Sequence, residues 1–141
     1  MRVLRRFRRS ESGQAAVEFA LIMPLLLLLL VGIIEFGRGW NDHQVITDAA
    51  REAARKCVIA NSVVTLDSVK NVAKSAMAAA GISSADSMFT VVGFARPNPT
   101  GEPCTVTIAL PYTFTFLGPL MRWTTGQRTV RLTSTFTMRN E

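Results

Sequence analysis

Few residues of this 141-residue chain have the types and spacing that catalysis or metal binding requires. His43 is the only histidine, and no Gly-x-Ser-x-Gly motif is present to supply a nucleophile for it to activate. The two cysteines, Cys57 and Cys104, lie far apart and lack the spacing of a zinc site. No glycine-rich phosphate loop occurs. The sequence therefore predicts that the chain is not an enzyme and that it binds neither a cofactor nor a metal.

The cysteines are instead candidates for a disulfide. Cys57 lies on the apolar stripe of a predicted helix, and Cys104 begins a predicted strand. Outside the cytoplasm, an oxidising compartment would allow the two to pair, which would stabilise the fold by about 2–4 kcal/mol. Two separate buried thiols are the alternative.

The positive charge is concentrated at the N-terminus. The chain has 16 Lys and Arg against 10 Asp and Glu, and five arginines fall within the first nine residues. A nucleic-acid-binding protein is expected to spread its basic residues over a folded face, so this pattern does not predict a nucleic-acid partner. Placed directly before an apolar run, the basic tract predicts a signal that sets membrane topology.

An apolar segment follows the basic tract. No charge occurs from Phe19 to Ile34, and residues 25–30 are six consecutive leucines. Extended to Ala15 and Phe36, the segment has a helical length of about 33 Å, enough to cross a hydrocarbon core of about 30 Å. No small-x-small cleavage site follows the leucines, which disfavours a secretory signal peptide. We predict a transmembrane helix over residues 14–36, with the N-terminus in the cytoplasm and residues 37–141 outside.

Glu18 lies at the start of this apolar segment, where an unpaired charge is costly. If the chain were cut after Gly13, Gln14 would become the N-terminus, and its α-amine would be cationic below a pKa of about 8. That amine could pair with Glu18 of a neighbouring subunit and so set the axial register of an assembly. The alternative is a hydrated Glu18 at the membrane interface.

The residues around Glu18 carry a resemblance to a known family. The run GQAAVEF, Gly13 to Phe19, is similar to the class III signal of type IV-type prepilins. The run VEFALIMP with the leucines after it, EFGR at residues 35–38 and AAREAAR at residues 49–55 closely resemble the TadE-like family. Its members are minor pseudopilins of the bacterial tight-adherence (Flp) pilus system. The resemblance is strong over residues 12–55 and weaker over 100–141.

The resemblance implies a structural subunit of a pilus. It implies cleavage between Gly13 and Gln14 by a prepilin peptidase, removal of a leader of residues 1–13, and an assembly role for Glu18 and Phe19. It also implies storage in the bacterial inner membrane, with the C-terminal domain in the periplasm, and incorporation into the extracellular pilus. The implied partners are the membrane, the peptidase, the major pilin, other minor pseudopilins and the assembly platform. Gln14 departs from the small or apolar residue that the family often has there. An uncleaved, TadG-like membrane-anchored binding module is therefore the alternative.

Pro24 lies inside the predicted membrane helix. A proline there removes one backbone hydrogen bond and kinks the axis, although membrane helices tolerate it. The sequence is equally compatible with two interpretations of Pro24: its kink helps helices pack in a filament, or the helix merely tolerates the proline.

The remainder predicts an α+β, pilin-like domain. The membrane helix is expected to continue to about residue 60, and a second helix over residues 66–80 is expected to be capped by Thr65. Alternating apolar and polar residues after residue 88 predict an antiparallel sheet of three or four strands. Residues 117–126 are expected to form a loop whose Trp123 covers the sheet edge; the alternative is an exposed Trp123 that contacts the membrane or a partner.

Overall fold

The computed structural model describes residues 11–59, 64–94 and 101–139, and side chains from Gly13 onward. The arginines of the predicted leader lie outside the described residues, and so does residue 60 at the end of the predicted long helix. Within the described part, helix α1 spans Glu11–Val58 and helix α2 spans Leu66–Ala79. Strands β1 (Phe89–Val92), β2 (Pro103–Thr113) and β3 (Thr129–Arg139) follow, with helix α3 (Gly118–Thr125) between the last two.

Helix α1 is continuous over 48 residues, and its two halves differ in how far their side chains are buried. Leucine and alanine are strong helix formers, and they dominate the helix on both sides of its glycines. From Gly13 to Leu30 every side chain is exposed, whereas a stripe in the second half is fully buried. The buried stripe consists of Ile46, Ala49, Ala50, Ala53, Ala54 and Cys57. The apolar first half of α1 is therefore exposed, whereas its second half packs in the domain core.

Helix α2 packs beside the second half of α1. Thr65 caps it as predicted: the Thr65 hydroxyl accepts a hydrogen bond from the Ser68 amide at 3.1 Å. The Ser68 hydroxyl accepts one from the Thr65 amide at 3.0 Å, which completes a capping box. Val69, Ala73 and Met77 repeat at four-residue intervals and are fully buried. Their spacing keeps one face of α2 against the core.

The three strands form an antiparallel sheet in the order β1-β2-β3, with β2 in the centre. Alternate β2 residues from Cys104 to Tyr112 point into the core, and the threonines between them face outward. On the outer face the hydroxyls of Thr105 and Thr137 lie 2.8 Å apart, and those of Thr107 and Thr135 lie 3.0 Å apart. These cross-strand pairs fix the register of β2 and β3 on the exposed face. The predicted α+β class, with a long N-terminal helix and an antiparallel sheet, is confirmed.

The connection between β2 and β3 differs from the loop predicted there. It contains α3, because Pro119 suits a first helical turn and Gly126, with a φ of 75°, provides a left-handed C-cap. Trp123 on this helix is 84% exposed, so the expectation that it covers the sheet edge is wrong.

Candidate functional site

The predicted processing and register residues lie on the first turns of α1. Gly13 and Gln14 are already helical, because α1 begins at Glu11. The Gln14 side-chain amide donates a hydrogen bond to Glu18 Oε1 at 3.0 Å, one turn along the helix. Phe19 beside it is exposed. In the intact chain, residue 14 and Glu18 therefore form a polar pair at the end of an otherwise apolar surface.

The exposed surface from residue 15 to residue 34 is almost wholly apolar apart from Glu18. Its most apolar stretch has a mean hydropathy of 2.8, and none of that stretch is buried within the protein. The helix is long and apolar enough to cross a membrane once. Pro24 is accommodated within this helix, which continues without a break on both sides of it.

A second carboxylate, for which the sequence predicts no role, ends this exposed surface. Glu35 is fully buried, although it falls inside the segment predicted to span the membrane. Its Oε1 accepts hydrogen bonds from the Thr115 amide at 2.9 Å and from the Tyr112 hydroxyl at 3.2 Å. Its Oε2 accepts one from the Phe116 amide at 2.8 Å. We call these four residues the Glu35 clasp.

The hydrogen bonds of the clasp are charge-assisted, with three donors converging on one carboxylate. Hydrogen bonds to an ionised carboxylate are roughly twice as strong as neutral ones, which makes a buried acid acceptable here. The Tyr112 ring also lies against Gly39 of α1, at 3.5 Å from the position that a Cβ would take. Burial and the neighbouring Glu35 carboxylate raise the pKa of the Tyr112 hydroxyl. The tyrosine therefore stays protonated and keeps donating at neutral pH.

No local pattern could have identified Glu35 as the clasp acceptor. Its partners are separated from it by 77 to 81 residues along the chain. The sequence signals are that a carboxylate stands at the C-terminal limit of an uncharged run that begins after Glu18, and that it begins the EFGR run of the TadE-like resemblance.

A second tie joins the other end of the domain to α1. Cys57 and Cys104 form a disulfide, with their Cα atoms 6.2 Å apart. Both cysteines are fully buried, one on the core stripe of α1 and the other at the start of β2. The disulfide and the clasp thus attach β2 to α1 at both ends.

An apolar groove of about 290 Å³ lies beside the clasp. Phe36, Trp40 and His43 line it from α1, and Phe114 and Val130 line it from the sheet. Its only carboxylate, Glu35, is already occupied by the clasp. Among the described residues no group of three or more His, Cys, Asp or Glu is arranged to hold a metal ion. The groove offers an apolar surface rather than a set of reacting groups.

Comparison with known proteins gives one match. Residues 13–55 match the family model described as TadE-like protein, which confirms the resemblance over the segment from the predicted cleavage position to the core stripe of α1. This family consists of structural pilus components, and the match associates the segment with the tight-adherence pilus system. No curated protein and no solved structure matches the chain.

Proposed function

We propose that the chain is a minor pseudopilin, a structural and assembly component of a tight-adherence pilus. In this proposal residues 14–36 store the subunit in the bacterial inner membrane, with the basic N-terminus in the cytoplasm and the α+β domain in the periplasm. A prepilin peptidase removes residues 1–13. The mature helix then packs with the major pilin and other minor pseudopilins at the assembly platform.

One observation carries the proposal: the exposed apolar half of α1 is continuous with the helix that forms the domain core. An apolar helical surface of this size is stable only against lipid or against other apolar helices. The same surface would serve in both places, first as a membrane anchor and then as the contact between subunits in a filament core. The family match over residues 13–55 supports the second use.

The polar pair at the start of the helix supports a role for Glu18 in assembly. In the intact chain Glu18 has the Gln14 amide as a neutral donor. Cleavage would add a cationic α-amine at the same residue, which would be a stronger partner for a carboxylate. In a staggered array, that amine would pair with Glu18 of the adjacent subunit and fix the axial offset between the two helices.

The first experiment measures processing directly. The full chain is expressed with a prepilin peptidase, extracted from the membrane and analysed by intact-mass spectrometry. A mature N-terminus at Gln14 is the expected result, and it should be absent when a catalytically inactive peptidase is co-expressed. Retention of residues 1–13 in the presence of active peptidase would remove the processing step.

The second experiment tests the register role of Glu18. Glu18→Gln removes the charge and keeps the size, and it should abolish co-purification with pili while the domain remains folded. Glu52→Gln is the matched control, because Glu52 lies on the same helix, is exposed and belongs to the domain. Normal incorporation of Glu18→Gln would contradict the pairing.

The alternative function is an uncleaved, TadG-like anchored module that binds an envelope partner. The hydrogen bond from Gln14 to Glu18 favours it, since the intact chain already satisfies part of this carboxylate without processing. This alternative predicts an intact leader and a protein that stays in the membrane fraction when pili are sheared from cells.

A further inference from the structure

The disulfide and the Glu35 clasp, which both connect β2 to α1, determine which end of the domain lies nearest to the apolar half of the helix. Strand β2 leaves the disulfide at Cys104 and reaches the clasp at Tyr112, so it runs antiparallel to α1. The clasp acceptor Glu35 directly follows the exposed apolar surface. Helix α3 begins two residues after the clasp residue Phe116, and β3 then runs back along β2. Helix α3 therefore follows the clasp directly, at the end of the domain where the apolar half of α1 ends.

This end of the domain exposes large apolar side chains. Trp123 and Leu120 on α3 are exposed, as is Phe116 in the clasp, which is 62% exposed. On α1, Trp40 is 57% exposed and stacks between Phe36 and His43, with ring centroids 6.2 Å apart on each side. Trp40 follows Glu35 by five residues, a rise of about 7.5 Å, and helical side chains lean back toward the N-terminus. Trp40 thus lies close to the level of the clasp, and Trp123 follows the clasp residue Phe116 by seven residues along the chain.

The segment around α3 carries charge of one sign, since residues 113–131 contain Arg122, Arg128 and Arg131 and no Asp or Glu. Arg122 is on α3 and precedes Trp123 in the chain, and Arg128 follows the end of α3 by three residues. Tryptophan is enriched at the membrane–water interface, and basic side chains are attracted to anionic lipid headgroups.

We propose that α3 is an interfacial foot: it rests on the outer surface of the membrane that α1 spans, with Trp123 and Phe116 in the headgroup region and Arg122 and Arg128 against anionic lipid headgroups. The inference rests on the proposed membrane anchor and goes beyond it. The foot would hold the domain at a fixed height and tilt over the bilayer while the subunit is stored. Extraction of the subunit into a filament would then expose α3 again.

The chain's two tryptophans allow a direct test in the full protein. Trp40→Phe leaves Trp123 as the only tryptophan, and Trp123→Phe leaves Trp40 alone. Each variant is reconstituted in vesicles of phosphatidylglycerol and phosphatidylcholine, with or without bromine atoms near the top of the acyl chains. We expect bromolipid to quench Trp123 emission severalfold, aqueous iodide to quench it weakly, and vesicles of phosphatidylcholine alone to reduce the bromolipid effect.

Flotation of the same vesicles separates the foot from the anchor. Co-flotation without bromolipid quenching of Trp123, and with iodide quenching as strong as in the urea-unfolded chain, would overturn the foot and leave the anchor standing. Failure to co-float would overturn both. In a third outcome Trp123 is shielded from iodide but is not quenched by bromolipid, and the shielding disappears when the chain is diluted in lipid. This result would assign α3 to a contact with a second copy and would also overturn the foot.

Discussion

The Tyr112 hydroxyl lies 3.1 Å from the backbone carbonyl oxygen of Glu35 and 3.2 Å from its carboxylate, across 77 residues of chain. One side chain of the central strand thus contacts both the backbone and the side chain of the long helix. The contact lies where the bare apolar half of α1 ends and its domain-bearing half begins. It joins the helix to the sheet at the position where the two halves of α1 meet.

Replacing Glu35 should loosen the domain from the helix. Glu35→Ala leaves the Tyr112 hydroxyl and the Thr115 and Phe116 amides without their carboxylate acceptor. The Tyr112 hydroxyl keeps the carbonyl oxygen of residue 35, but the two part-buried amides lose their acceptor. Because an unsatisfied donor costs up to about 1–3 kcal/mol, we expect a loss of about 2 kcal/mol in the free energy of unfolding. Guanidinium unfolding of the full chain in detergent micelles, followed by near-ultraviolet circular dichroism, measures it. Glu35→Gln keeps one acceptor and should lose less, and a stability equal to wild type in both variants would contradict the clasp.

The hydroxyl of Tyr112 should titrate above its ordinary pKa of about 10, because burial and the Glu35 carboxylate both disfavour the tyrosinate. Since the folded protein holds this proton more tightly than the unfolded chain does, the corresponding stability is fully present below about pH 10. It is lost as the pH rises through the raised pKa. Tyr112 is the only tyrosine, so tyrosinate absorbance reports this group alone. The midpoint should fall in Glu35→Gln and return to its ordinary value in denaturant; an ordinary midpoint in the folded wild type would rule out this environment.

Removing the disulfide should weaken the far end of the domain without affecting the clasp. The Cys57→Ala and Cys104→Ala double variant should lose about 2–4 kcal/mol of unfolding free energy. The same loss should appear when the wild-type protein is unfolded under reducing conditions, and the double variant should then be insensitive to reductant. Non-reducing peptide mapping of the wild type checks the pairing, and free thiols in the oxidised protein would contradict it.

Substitutions at Gly93 and Gly81 provide a matched test of the close approach between the end of β1 and the start of β2. Both have a positive φ, 81° and 76°, but a Cβ at Gly93 would lie 2.1 Å from the Pro103 carbonyl oxygen, whereas nothing lies within 4 Å at Gly81. We expect Gly81→Ala to cost about 1–2 kcal/mol from backbone strain alone. Gly93→Ala should cost clearly more and should lower amide protection in β1 and the start of β2, measured by hydrogen exchange. Equal effects of the two substitutions would show that the close approach of Gly93 to β2 carries no energy.

The sequence by itself determined the local and periodic features of this protein. The uncharged run of residues 19–34 requires a helix with an apolar surface on every side, because backbone groups outside water must be satisfied within the segment. Spacings of three and four residues placed Ile46, Ala50 and Ala53 on one buried face, and Thr65 marked the start of α2. Alternation in residues 105–112 and 130–138 predicted the paired strands. The TadE-like resemblance depended on the same contiguous stretch of chain.

Only the tertiary structure decided how the two halves of the molecule meet. Glu35 becomes a buried acceptor because Tyr112, Thr115 and Phe116 arrive from a strand end some 80 residues later. Trp123 is exposed because Pro119 and Gly126 allow a helix where a loop was expected, and that helix carries it away from the sheet. Such features arise from packing between distant segments, which neither composition nor periodicity encodes.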